Sequence, residues 1–186
     1  MKLIPVVLSI LLIAGCASEP TAITLNPTVT NDTGKVYKNL SAKISVNDLR
    51  STAHIVELLS AEDPSTLIGT TSSLREVLVS KFSTELTSQG LNVADSSDLK
   101  VEFNVERART YVNQDVLDYR ANTIIKLKVK VENPAQTLSK TFTLRATTRG
   151  ALTADIDELQ RDFNIQLAKL ILQVLEDQQL QEFIKG

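Results

Sequence analysis

Apolar and polar residues alternate at period two through much of this chain, and at two places the period changes to that of a helix. Leu40, Ala42, Ile44 and Val46 alternate with Ser41, Lys43, Ser45 and Asn47, the pattern of a half-buried strand. Three longer runs follow. Leu99, Val101, Phe103 and Val105 carry the first, and Tyr119, Ala121, Thr123, Ile125, Leu127, Val129 and Val131 the second. Leu138, Phe142, Leu144 and Ala146 carry the third. Turn signals at 113–118 and at Asn133-Pro134 join the three as an antiparallel meander with one face on a core and one in water.

Helical spacing first appears at Leu74, Val77, Leu78, Phe82 and Leu86, behind a Ser73/Glu76 capping box and ahead of Gly90 as the C-terminal cap. It returns at Ile156, Leu159, Phe163, Leu167, Leu170, Ile171, Val174 and Leu175, with Asp155 and Glu158 at the N-terminal end. That helix is expected to run from about 154 to 180, a length of ~39 Å that would cross a whole sheet. Weaker signals predict a short edge strand at Ile23-Thr24-Leu25, limited by Pro27, and a short extended piece at Leu91-Asn92-Val93. Residues 48–71 read as irregular with one edge strand. The fold class predicted is α+β, an antiparallel β-sheet with two amphipathic helices packed on one face.

The N-terminus changes the picture. Lys2 precedes an apolar run from Leu3 to Ile13, about ten residues against the roughly 20 that a bilayer-spanning helix needs. This is the pattern of a secretory signal, and Ile13-Ala14-Gly15-Cys16 resembles the lipobox of bacterial lipoproteins. The resemblance implies that the Cys16 thiol takes a diacylglycerol, that the chain is cut before it, and that the new amine is acylated. Cys16 is the single cysteine, so it has no internal disulfide partner. Residues 1–15 are thus expected to be the signal, 16–22 a lipidated tether, and 23–186 one periplasmic domain. In the lipoproteins that this lipobox resembles, an aspartate after the cysteine favours the inner membrane, so the resemblance with Ala17 there implies the outer membrane.

Further residues carry a family resemblance. The run Ala22-Ile23-Thr24-Leu25-Asn26-Pro27-Thr28-Val29, the strand end Ile44 to Arg50 and the leucine-rich helix closing on Gly90 resemble YajG-type lipoproteins. So do Arg149-Gly150-Ala151-Leu152 and the terminal Glu182-Phe183-Ile184-Lys185. The resemblance implies an outer-membrane lipoprotein with no established activity and no catalytic residues. Its layout is similar to that of LptE-like envelope lipoproteins, which assist lipopolysaccharide export; fold alone does not transfer that role.

Candidate chemistry is sparse. One histidine, His54, is the sole imidazole base, no Gly-x-Ser-x-Gly occurs, and the lone thiol is committed to lipid, so no enzyme is expected. With so few His and Cys, neither a metal nor another cofactor is expected. The acidic pairs Glu62-Asp63 and Asp95/Asp98 read as solubilising loop residues. Removing residues 1–15 leaves 19 basic against 22 acidic residues, which argues against nucleic acid. The binding candidate is the outward face of the meander, with Arg120, Lys126, Lys128, Arg145 and Arg149. Lys128 should face Thr141, Lys126 Thr143 and Arg120 Arg149, with Glu102 near Lys128. Besides membrane lipid, the partner expected is an envelope protein or an anionic glycolipid. The bland account is a solvated face whose charge pairs contribute only ~0.2–1 kcal/mol each. Asp48 and Arg50, closing a core strand, are expected to pin a loop as an ion pair. Replacing Cys16 by serine should abolish lipid labelling and remove the protein from the membrane fraction; a variant that stays there normally labelled would refute the anchor.

Overall fold

The computed structural model describes residues 22–31, 34–38, 40–59 and 64–186, so Cys16, the signal and nearly all of the tether lie outside the described residues. Eight strands form one sheet: β1 (Ala22–Ile23), β2 (Ser41–Asp48), β3 (Val56–Leu59), β4 (Thr66–Thr70), β5 (Asn92–Val93), β6 (Lys100–Gln114), β7 (Asp118–Glu132) and β8 (Thr137–Ala151). Three helices accompany it: α1 (Leu74–Ser88), α2 (Ile156–Leu175) and α3 (Gln178–Lys185). The class is α+β, but the sheet is mixed rather than antiparallel. β6, β7 and β8 form the expected antiparallel meander. The other edge of β6 pairs in parallel, with β2 along its first half and β3 along its second.

Strand β7 spans what its alternation suggested, while β6 and β8 are longer. Val105 pairs with Leu127 and Arg107 with Lys126, so Glu106 is an extra residue and the register shifts there. One inserted residue inverts the pleat. Val101, Phe103 and Val105 are buried before it, and Ala108, Thr110 and Val112 after it. On β8 the strand continues past Ala146 through Gly150, which pairs with Tyr119.

Helix α1 buries Leu74, Leu78, Phe82 and Leu86 at four-residue spacing. Ser73 is its N-cap residue by backbone, but its side chain makes no capping bond, so the expected capping box is not formed. The other end follows expectation. Gly90 adopts φ +90°, its N–H donates to Thr87 O (2.9 Å), and Leu91 N–H donates to Leu86 O (2.9 Å). These are the two bonds of a Schellman close, with Leu86 and Leu91 both buried.

The single long terminal helix is instead two. Asp155 caps α2 by accepting from Asp157 N (2.8 Å). After Glu176, Asp177 turns to extended backbone and accepts from Leu180 N (3.0 Å), starting α3. An aspartate that can satisfy a free helix N–H competes with helix continuation, and here it wins.

Phe82 of α1 stacks on Phe103 with centroids 3.8 Å apart. Glu158 of α2 accepts from Tyr119 Oη (2.8 Å), and Asp177 pairs with Lys140 of β8 (2.6 Å). Phe103 and Lys140 both lie opposite Val129, which shares a pleat face with Tyr119, so all three contacts fall on one side of the sheet. One continuous cluster of buried side chains runs through it.

The weaker elements are short, as expected, with two differences. Residues 48–71 hold two strands, β3 and β4, rather than one, and Ala22, read as tether, already pairs with Gly69. At Asn133-Pro134 the turn is built as predicted: Asn133 Oδ1 accepts from Ala135 N (3.0 Å) and Gln136 N (2.9 Å).

A Cβ at Gly150 would meet Cζ and Oη of Tyr119 at 2.7 Å. The ring is 2% exposed and has nowhere to retreat. Gly150→Ala should therefore cost about 1–3 kcal/mol in urea unfolding, whereas Gly69→Ala, with nothing within 4 Å, should stay within ~0.5 kcal/mol. Equal stability of the two variants would contradict this packing.

Candidate functional site

The face of the meander turned away from the helices is where the sequence placed its candidates, and Arg120, Lys126, Lys128, Arg145 and Arg149 all stand on it. Three cross-strand pairs are those expected: Lys128 opposite Thr141, Lys126 opposite Thr143 and Arg120 opposite Arg149. Glu102 is displaced from its expected place. It lies opposite Lys130, while Lys128 faces Asn104. The bulge adds cations that the alternation had hidden. Arg107 lies beside Lys126, and the next row across the face is Arg109, Ile124 and Arg145.

These cations differ in what holds them. Lys126 Nζ is 2.7 Å from Glu106 Oε2, and Arg109 Nη1 is 3.2 Å from Glu57 Oε2. At the far end of the face, Lys130 pairs with Glu132 at 2.7 Å, and Lys100 reaches the same carboxylate at 3.9 Å. Mutual hydrogen bonding raises the Lys130 pKa and lowers that of Glu132. Among the described residues, Arg107, Arg120, Lys128, Arg145 and Arg149 have no carboxylate within 4.0 Å. Arg120 and Arg149 are like charges directly opposed, an arrangement that costs stability unless something neutralises it.

Where β2 leaves β6 and β3 joins it, the edge of β6 is open. Leu49 N bonds Val105 O (2.9 Å), Thr110 N bonds Ile55 O (2.7 Å), and Arg50 fills the interval. Its guanidinium is clamped by both Asp48 oxygens (Nε–Oδ1 2.8 Å, Nη2–Oδ2 2.7 Å) and reaches Ala108 O at 3.5 Å. The pair pins this loop, as anticipated. Arg50, Thr52, Glu106, Arg107, Arg109 and Tyr111 line a small polar cleft there, with about 370 Å³ of open space. Arg109 also donates to Thr52 Oγ1 and lies 5.6 Å from the Tyr111 ring centroid.

His54 sits in the loop before β3, with Nε2 3.7 Å from Glu57 Oε2, beyond hydrogen-bond reach. That carboxylate already serves Arg109, and among the described residues no hydrogen-bonded nucleophile–base–acid chain runs through the imidazole. Glu62 and Asp63 lie outside the described residues; Asp95 is 98% exposed and 3.9 Å from Lys43, a solvated pair. Among the described residues no cluster of three or more His, Cys, Asp or Glu could hold a metal. None of their helices is long and apolar enough to cross a membrane.

A mixed-sheet α+β domain with a cationic free face, and nothing that positively indicates catalysis, is the class defined by this geometry. The chain belongs to the family described as uncharacterized lipoprotein, whose model matches residues 27–185, the YajG-type family that its sequence resembles. Compared with curated proteins, it has no sequence match. Its fold is similar to a crystal structure from Xanthomonas campestris, at 15% identity over 87% of this chain and 96% of that one, with a TM-score of 0.61. It is also similar to a neuraminyllactose-binding hemagglutinin homolog from Helicobacter pylori, at 9% identity over 88% and 96%, with a TM-score of 0.50. At these identities the likeness concerns the fold alone.

The hydrogen bond from Arg50 holds the Asp48 carboxyl below its ordinary value of 3.8, outweighing the upward push of burial. A carboxyl whose pKa is lower folded than unfolded stabilises above the unfolded value and loses that stabilisation as pH falls through the folded one. The melting-temperature gap between wild type and Asp48→Asn should be full near pH ~7 and shrink below pH ~4. A gap independent of pH would sink this account.

Proposed function

We propose that this protein is an outer-membrane lipoprotein held by acylated Cys16, and that its periplasm-facing domain is a non-catalytic accessory module that binds an envelope protein through the cationic face of β7 and β8. The observation that carries this reading is the set Arg120, Lys128, Arg145 and Arg149, exposed on one rigid face with no carboxylate at hand among the described residues. Unneutralised guanidinium groups on a sheet suit bidentate contact with carboxylates. Surface lysines alone would serve solubility; opposed arginines at a cost in stability suit a partner that supplies the missing charge.

The rival reading is a lipid- or lipopolysaccharide-handling factor resembling LptE-like lipoproteins, and it calls for a concave cavity between sheet and helices at Phe82 and Phe142. Phe82 is fully buried and stacked on Phe103, so side chains occupy that space. Phe142 is half-buried and lines only a shallow groove with Lys140, Glu176 and Asp177. This favours surface binding over an internal lipid site.

In crosslinked pull-downs from intact cells, the wild-type protein should recover an acidic envelope protein. Arg145→Glu should weaken that recovery about tenfold or more, the equivalent of one lost charged hydrogen bond of ~1.5 kcal/mol, with an unchanged melting temperature. Recovery of lipopolysaccharide in place of a protein would reverse the order of the two readings.

A further inference from the structure

The turn between β6 and β7 ends the sheet in an apolar tip. Val116 is 84% exposed and Leu117 77%, and beside them Leu152, just past β8, is 63% exposed. The tip is tied together: Asp115 Oδ1 accepts from Val116 N (2.8 Å), Asp115 N donates to Asp118 O (2.9 Å), and Leu152 N donates to Leu117 O (2.8 Å). Leu152 holds φ +63°, a conformation that favours glycine. A leucine there adds strain, and most of its surface is open to solvent. Three apolar side chains on a hydrogen-bonded tip point to contact with something outside it.

The path of the N-terminal segment says what that is. β1 is parallel to β4, β4 antiparallel to β3, and β3 parallel to β6, so the residues before Ala22 come from the end of the sheet that carries the tip. Ala22 pairs with Gly69, next to Ile68, which lies level with Thr110 through Val56. Gln114, where the tip begins, is then about five residues or ~17 Å further along. Cys16 stands six residues before Ala22, a reach of up to ~20 Å. The tether can therefore bring the lipid level with the tip. We propose that Val116, Leu117 and Leu152 insert into the headgroup region of the same bilayer that holds Cys16, a second anchor that fixes how the domain stands on the membrane.

The proposal rests on the Cys16 anchor of the function proposed above. The contact is apolar rather than electrostatic. Val116 and Leu117 are flanked by Asp115 and Asp118 and not by cations, so zwitterionic lipid should suffice and salt should matter little.

The chain has no tryptophan, so one introduced residue is a clean reporter. The acylated mature Leu117→Trp protein, in phosphatidylethanolamine–phosphatidylcholine vesicles with brominated acyl chains, should show blue-shifted, quenched emission that persists at high salt. Ala135→Trp, in the turn at the opposite end of the sheet, should show neither effect. Protein that sediments with the vesicles but emits alike at both positions overturns the insertion and leaves the anchor standing. Protein that does not sediment overturns both. Val116→Asp with Leu117→Trp should restore emission without lowering the melting temperature; quenching that survives it would also overturn the proposal.

Discussion

Between Val105, opposite Leu127, and Arg107, opposite Lys126, strand β6 carries Glu106 with no partner of its own on β7, and everything beyond it is turned over. Without that insertion Ala108, Thr110 and Val112 would point to water and Arg107 and Arg109 into the core, where unpaired guanidinium groups are ruinous. The extra residue lets one strand bury an apolar row along its whole length and still place arginines on the outside. It also puts the Glu106 carboxylate against Lys126.

The same stretch of β6 is where its other edge changes partner. β2 pairs below it and β3 above, both in parallel, and the interval is closed by a side chain rather than a strand. Arg50 suits the task because its planar fork satisfies Asp48 with two donors and has a third for the backbone carbonyl of Ala108. The cost of holding a guanidinium that is only 7% exposed is offset by the carboxylate beside it. The Arg50 and Glu57 clusters therefore read as architecture, and the polar cleft beside them is its by-product.

The two sides of the sheet differ in what covers them. The helix side is filled, from the Phe82–Phe103 stack to the Tyr119–Glu158 bond at the other end. The free side divides along its length: acidic partners accompany the lysines near Glu132, while the arginines nearer the tip go largely unmatched. The sheet presents charge on one face and apolar side chains at one end, and nothing among the described residues positively indicates catalysis.

Read alone, the sequence determined the elements whose signals are local: the strand alternations up to the bulge, Gly90 and Asp155 at helix ends, and the Asn133 turn. It also determined the pairs counted outward from that turn, Lys128 with Thr141 through Arg120 with Arg149, because a tight turn sets register. Only the tertiary structure decided the rest. Arg107, Arg109 and Tyr111 were missed because the bulge breaks period two, although their own alternation with Ala108, Thr110 and Val112 was a signal in the shifted phase. Glu102 lies opposite Lys130 and not near Lys128 because turn signals spread over 113–118 leave the centre of that hairpin, and with it the register, unset. The parallel pairing of β2 and β3 with β6 joins segments far apart in the chain, and no local pattern encodes which distant edge a strand will find. Asp177 caps α3 through one carboxylate oxygen while the other meets Lys140 of β8, a neighbour that exists only once the sheet and helix have come together.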